Sequence, residues 1–286
     1  PAPILAMTPD LPLGEALTQG TRLHADAGIG VPRLTAEVLL AHALGKDRAY
    51  LIAHSADPLT ELAWNHYGRY LHQRLAGTPT QYITRRQEFY GREFRVSPDV
   101  LIPRPETEHL VEAAIELKPR GAVLDVGTGS GAIAISLALE TRAARVYASD
   151  ISAAALRVAR ENARALGAAV SFFRGDLLAA VASSSCDMIT ANPPYVPRRD
   201  QHAIQREVRD FEPAVALWGG EDGLAIYRRL IPEAARVLRP GGWLLLELGY
   251  QAADPVLAML SGWAGGEIRT DLAGLPRVAL ARRGAT

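Results

Sequence analysis

The stretch "VLDVGTGSGAIAISLA", residues 123–138, decides how the rest of the chain is read. Val123 to Val126 is an apolar run of strand type, and the residues after Gly131 have the composition of a buried helix. Gly127, Gly129 and Gly131 stand between the two. Strand, glycine loop, helix is how a nucleotide-binding βαβ unit opens, with glycines letting the backbone come close to a ligand. A structural turn competes with that reading. Asp150, at the end of the next expected strand "RVYASD", favours the ligand, because an acid there can accept hydrogen bonds from ribose hydroxyls.

The spacing narrows the nucleotide. GxGxG differs from the GxGxxG that seats a pyrophosphate on a helix N-terminus. Asp125 sits two residues before the first glycine, where it would repel a diphosphate. A carboxylate there suits a cation, such as the α-amino group and nearby sulfonium of S-adenosylmethionine. That cofactor is therefore expected rather than NAD. Asp176, ending the strand "VSFFRGD", is a candidate near adenine, with a solvated loop acid as the competing reading.

Downstream and upstream of the glycine loop the pattern alternates. Strands are expected at "AVLDVG", "RVYASD", "VSFFRGD", "DMITAN" and "GWLLLEL", and helices at 131–139, 152–166 and 223–238, the last containing Pro232. Alternation of this kind implies an α/β, doubly wound, mostly parallel sheet covered on both faces. The tail differs, with "GGEIRTDL" and "RVALARR" reading as an antiparallel edge pair. "QEFYGREFRV" reads as a hairpin and feeds "VLIPRPETE", then a helix from about Glu106 to Lys118 with Pro105 suited to its first turn. Before the hairpin, apolar stripes ending at Gly28, Gly45 and Gly77 imply three helices and no strand. The expected domains are a helical one at 1–82, a hairpin linker at 83–104 and the α/β domain at 105–286.

"TANPPYV", residues 190–196, closes the fourth α/β strand at the same rim as the glycine loop. Pro193 and Pro194 lack N–H groups, so this turn offers carbonyls only and is stiff. Asn192 adds a side-chain carbonyl, and Tyr195 a π face and a hydroxyl. Carbonyl acceptors beside an aromatic face match a planar –NH₂ group, whose nitrogen gains positive charge during methyl transfer. Asn192, Pro193, Pro194 and Tyr195 are the candidate catalytic residues.

The chain has 286 residues, 48% of them hydrophobic, and a formal net charge of zero. That balance argues against a protein held on nucleic acid by a basic surface. Cys186 is the one cysteine, so no intrachain disulfide or thiolate zinc cluster forms, and a cytoplasmic setting fits. The seven histidines show no HxxxH pair, so no metal is expected. No stretch reads as a signal peptide or is long enough to span a bilayer.

The segments "EFYG", "VLIPRPETE", "VLDVGTGSGAIAI", "ANPPYVP", "FEPAVALWGGEDGL" and "DLAGLPRV", in that order, closely resemble the protein-(glutamine-N5) methyltransferases of the HemK/PrmC family. The resemblance spans nearly the whole chain and is strongest from Gln81 to Arg277. It implies a seven-stranded class I methyltransferase fold with an antiparallel edge strand and a monomeric enzyme with no stable nucleic-acid or membrane partner. The implied substrate is the Gly-Gly-Gln glutamine of class I peptide chain release factors, in translation termination. It implies cofactor contacts from Gly127, Thr128, Gly129, Ser130, Gly131, Asp150 and Asn192, and a grip on the glutamine amide by Asn192, Pro193, Pro194 and Tyr195. The family position after Asp176 is often aromatic, whereas here Leu177 can give adenine only an apolar contact. The segment "PRPETE" is similar to one that folds over the cofactor. Competing readings are an amino-group methyltransferase acting on a ribosomal-protein glutamine or on adenine in nucleic acid, and a non-catalytic adaptor.

Overall fold

The computed structural model describes residues 11–141, 145–249 and 251–284. Their contacts divide the chain into two compact units: residues 1–85 with 206–211, and residues 86–205 with 212–286.

The first unit contains helices α1 (Leu13–Asp26), α2 (Pro32–Leu44), α3 (Arg48–Ala53), α4 (Glu61–Leu75) and α5 (Thr80–Thr84). Leu13 and Leu17 of α1, Leu39 and Leu40 of α2, and Tyr67 and Leu71 of α4 face one another in a single apolar cluster. The turn residues act as expected. Thr60 caps α4 by accepting the Ala63 N–H at 3.3 Å, and Gly45 ends α2 in the left-handed region. The short helices α3 and α5 carry too few residues for a readable period. Asp47, accepting the Tyr50 N–H at 2.8 Å, is what opens α3.

The second unit starts with the hairpin β1 (Arg86–Phe89) and β2 (Arg92–Arg95), followed by α6 (Glu108–Glu116), β3 (Ala122–Val126), α7 (Ala132–Glu140), β4 (Arg145–Asp150), α8 (Ala153–Leu166), β5 (Val170–Arg174) and β6 (Cys186–Ala191). After α9 (Arg206–Phe211), which belongs to the first unit, come α10 (Ala214–Leu217), α11 (Ala225–Val237), β7 (Leu238–Glu247), α12 (Ala253–Met259), β8 (Ala264–Thr270) and β9 (Pro276–Arg282). The sheet order is β5-β4-β3-β6-β7-β9-β8. Strands β3 to β7 pair in parallel, and β9 runs antiparallel to both β7 and β8. The reversed strand is thus second from the edge, and β8 is the edge itself.

Alternation along the central strands explains the two layers. Leu124, Ile189, Leu244 and Leu246 face Tyr227, Leu230 and Ile231 of α11. Val123, Met188 and Leu245 face Leu110 and Val111 of α6 and Ile133 of α7 on the other side. The hairpin packs into this second layer through Phe89 and Phe94, both fully buried. Helix α11 continues through Pro232. Among the described residues no helix is long and apolar enough to cross a membrane.

Candidate active site

Strands β4 and β5 extend the sheet to one side of β3, while β6 and β7 extend it to the other. The order therefore reverses between β3 and β6, and a crevice opens beyond their carboxyl ends. Val126 pairs with Ala191, so Gly127 and Asn192 leave adjacent strands side by side. Both line a cavity of about 450 Å³, with Thr128, Asp150, Leu177 and Thr107 among its walls.

The glycine loop is held from beneath. The Gly127 and Thr128 N–H groups both donate to the Ser149 carbonyl at 2.9 Å, and the Gly131 N–H donates to the Thr128 carbonyl at 2.8 Å. All three glycines have positive φ. The space beside the Cα of Gly127 and of Gly129 is open, whereas a Cβ on Gly131 would stand 2.8 Å from Ile135 Cδ1. The first two thus face the crevice, and the third lets α7 lie against α8. Buried Asn162 of α8 donates from Nδ2 to the Ser130 carbonyl (2.9 Å) and to the Arg95 carbonyl (3.0 Å). The sequence held no signal for that tie, because an asparagine inside a helix normally faces solvent.

Asp150 has two tasks. Its Oδ2 accepts the Gly129 N–H at 2.9 Å and its Oδ1 accepts the Ser152 N–H at 2.8 Å. Each oxygen keeps acceptor capacity toward the cavity that Asp150 lines. Asp125 departs from expectation. It is fully buried and absent from the cavity wall, because the register of β3 and β6 turns it onto Thr190, whose hydroxyl donates to Oδ1 at 3.0 Å. Burial pushes its carboxyl up to about 6, against Thr128 and Thr190. Asp125 therefore lies beneath the loop and does not reach a ligand's amino group. Asp176 and Leu177 do line the cavity, with Asp176 in an exposed ion pair with Arg229 at 2.7 Å.

The Asn-Pro-Pro-Tyr turn divides its labour differently from the sequence reading. Asn192 and Pro194 line the cavity, while Pro193 and Tyr195 do not. The Pro193 carbonyl accepts no hydrogen bond from the described residues. The Tyr195 ring lies on Gly249, where a Cβ would come within 2.6 Å of its Cδ2, and its hydroxyl donates to Glu247 Oε1 at 3.4 Å. Stacking of this ring on a bound amide is thus not what the turn offers. Glycines clamp the turn from outside. The Gly219 N–H donates to the Val196 carbonyl at 3.0 Å, and the Val196 N–H to the Leu217 carbonyl at 2.9 Å. This is the work of the "WGGEDG" segment.

Sequence reading also missed Thr107 and Glu247. Thr107, in "PRPETE", is buried in the cavity wall and accepts from Asn192 Nδ2 at 3.2 Å. That bond turns Asn192 Oδ1 away from Thr107 as a free acceptor. Glu247, at the end of β7, is 2% exposed, and its Oε2 has no hydrogen-bond partner. An acid ending the otherwise apolar strand "GWLLLELG" was the available signal. Glu212 anchors the "PRPETE" segment, accepting the Ile102 N–H at 3.3 Å and pairing with Arg104.

The cavity suits S-adenosylmethionine. Its volume falls in the range of nucleoside-sized ligands. The space over Gly127 and Gly129 is open, and both glycines line the cavity. Ile151 and Leu177 supply apolar walls. Fold and site together define an S-adenosylmethionine-dependent methyltransferase of the doubly wound class.

Comparison with known proteins agrees. Residues 15–84 match the family described as PrmC N-terminal domain, and residues 106–211 the methyltransferase small domain. A release factor glutamine methyltransferase from Koribacter versatilis is 50% identical over 88% of this chain and 91% of its own. One of the same name from Moorella thermoacetica is 45% identical over 95% and 98%. A methyltransferase structure from Pyrococcus furiosus superposes with TM-score 0.52 at 18% identity, over 77% of this chain and 98% of that one. The hMettl16 catalytic domain, solved with the MAT2A 3'UTR hairpin 6, gives 0.53 at 19%, over 76% and 82%. These two share the fold alone. The chain belongs to the release factor glutamine methyltransferase family.

Proposed function

We propose that this chain methylates the side-chain amide nitrogen (N5) of the glutamine in the Gly-Gly-Gln loop of class I peptide chain release factors. The observation that carries the reading is the adjacency of Asn192, with its Oδ1 left free by Thr107, to the glycine loop. The relatives' shared name supplies the substrate class.

Gly127 through Ser130, Asp150, Asp176 and Leu177 would hold S-adenosylmethionine, which supplies an electrophilic methyl group when bound. Asp150 accepts from ribose hydroxyls with the acceptor capacity left over from the loop. Leu177 gives an apolar contact to adenine. Asn192 Oδ1 accepts from the substrate –NH₂ at the cavity wall, and Pro194 closes the wall beside it. An amide nitrogen is a poor nucleophile because its lone pair is delocalised. The turn's part is to aim that nitrogen, exclude water and favour a geometry that localises the lone pair. The methylated nitrogen is acidic and loses its proton afterwards without a strong base. Tyr195 supports the turn from behind.

The helical domain, residues 1–82, reads the substrate protein, with 83–104 as hairpin linker and 105–286 as catalytic domain. A polar cleft in the helical unit supports this, lined by His42, Arg69, Tyr70, Gln73 and Arg85. Among the described residues Arg69 and Arg85 are in no ion pair, whereas Arg33 and Arg48 are held by Glu37, and Arg74 by Glu207. Arg69 and Arg85 are thus left to meet acidic groups on a partner.

The test is to incubate the enzyme and labelled S-adenosylmethionine with release factor, ribosomal proteins, DNA and RNA in separate reactions. Label on the Gly-Gly-Gln glutamine, located by mass spectrometry, is the expected result. Label confined to ribosomal protein or to nucleic acid overturns it.

A further inference from the structure

In the second unit, the large hydrophobic side chains that stand exposed among the described residues are Ile151, Val215, Leu272 and Leu275. A lone exposed leucine needs no explanation, but gathering along one edge does. All four lie toward the carboxyl rim of the sheet. Ile151 follows the last residue of β4, and both it and Val215 of α10 line the cavity. Leu272 and Leu275 stand in the turn between β8 and β9. Because β9 runs antiparallel to β7, with Val278 opposite Glu247, that turn emerges beyond the carboxyl end of β7. The rim that carries the glycine loop and Asn192 is therefore the unit's exposed apolar edge.

The β8–β9 turn is built to hold its shape. Asp271 Oδ1 accepts the Ala273 N–H at 2.9 Å and the Leu275 N–H at 3.0 Å, while its Oδ2 accepts from Arg277 Nε at 2.7 Å. The Asp271 N–H donates to the Leu275 carbonyl and the Gly274 N–H to the Asp271 carbonyl, both at 2.9 Å. Gly274 supplies the positive φ that closes the turn. The Arg277 carbonyl accepts the Leu248 N–H at 2.8 Å, which fastens the turn to the end of β7. At its tip the Leu272 side chain is fully exposed and belongs to no cavity wall. One aspartate thus fixes an apolar tip in water, where it buries nothing within its own unit.

We propose that this turn is a docking point for the release factor, with Leu272 meeting an apolar patch on the protein that carries the Gly-Gly-Gln loop. The inference rests on the substrate proposed above. A glutamine brought in on a folded protein enters the cavity only if the surface around its loop lands on this rim. In the sheet order β9 is two strands from β6, so the strand that leads out of the turn lies about 10 Å from the one that ends at Asn192. That is well inside the footprint of an ordinary protein interface, about 800 Å² on each partner. Ile151 and Val215 at the cavity and Leu272 and Leu275 beyond it supply the apolar part of such a footprint. A turn already held by Asp271 makes its contact without the cost of being ordered on binding.

The test is Leu272→Ser in the full-length enzyme, with kcat and KM for intact release factor measured at saturating S-adenosylmethionine. KM is expected to rise about tenfold, the scale of one leucine side chain left in water. The kcat and the Kd for S-adenosylmethionine should stay within about twofold of wild type, since Leu272 is outside the cavity. Leu272→Met keeps an apolar contact and should hold KM near the wild-type value. A KM unchanged in Leu272→Ser, or a loss carried by kcat alone, overturns the inference. Sedimentation of the enzyme by itself tests the other occupant. A wild type that self-associates while Leu272→Ser is monomeric assigns the turn to a second copy of this chain and overturns the inference as well. If wild type labels no release factor, the substrate reading fails and takes the docking point with it. If wild type labels release factor and Leu272→Ser does so with the same KM, only the docking point fails.

Discussion

A Cβ on Gly219 would stand 2.6 Å from the Pro194 carbonyl oxygen, and one on Gly223 would stand 2.4 Å from that of Tyr195. The two carbonyls are backbone, so neither can swing aside as a long side chain could. The Asn-Pro-Pro-Tyr turn is therefore shaped as much by the glycines twenty-odd residues downstream as by its own prolines.

Gly219→Ala should push the turn out of register with the glycine loop. The expected cost is about 1–3 kcal/mol of stability, as for overpacking elsewhere. The loss of kcat should exceed tenfold, because small displacements of positioning groups are costly to turnover. Thermal melts and single-turnover methylation of release factor read the two effects separately.

Asp150→Asn tests the second task of the acid that ends β4. An amide keeps one acceptor, so one of the Gly129 and Ser152 N–H groups would face an NH₂ instead. The glycine loop should loosen, and affinity for S-adenosylmethionine should fall by about tenfold, the scale of one charge-assisted hydrogen bond. Calorimetric titration with the cofactor checks this, and an unchanged Kd would remove Asp150 from the binding scheme.

Glu247 also leaves a signature in stability. Its folded carboxyl stands at about 7 against an ordinary value of 4.5, mainly through burial. The folded state then binds the proton more tightly than the unfolded state does. Its contribution is fully present below about pH 4.5 and is lost as pH rises through about 7. Above that pH the deficit is roughly 3 kcal/mol. Glu247→Gln should match wild type near pH 4.5 and exceed it by about that amount at pH 8, measured by urea unfolding.

The cleft on the helical unit makes a different demand. Reversing charge in the double variant Arg69→Glu, Arg85→Glu should raise the KM for release factor by about tenfold or more, as for removal of interface charges. Cofactor Kd and thermal stability should stay near wild type, since neither arginine touches the cavity beside the glycine loop. A KM unmoved by the double variant would place substrate recognition elsewhere.

Much of the fold could be read directly. Gly45 and Thr60 mark helix ends by local chemistry, and the β3-loop-α7 segment announces itself through three glycines in one turn. The reading failed where a residue's role depends on a strand neighbour. Asp125 looked like a cation contact because of its distance from Gly127, yet pairing with β6 sets it on Thr190. Tyr195 looked like an aromatic wall, yet Gly249 leaves room for the ring to turn away from the cavity. The helices α3 and α5 escaped notice because a few residues give no period.

By itself, then, the sequence determined the strand-helix alternation, the glycine loop and the donor-free turn after Asn192, because propensity, periodicity and missing N–H groups act within a few residues. Only the tertiary structure decided which groups share the crevice. The pairing of Val126 with Ala191 sets Asn192 beside Gly127. The packing of "PRPETE" and β7 around that turn puts Thr107 and Glu247 within reach of it. Those contacts join residues 85 and 52 positions apart, and no local rule of the chain encodes which of them will meet.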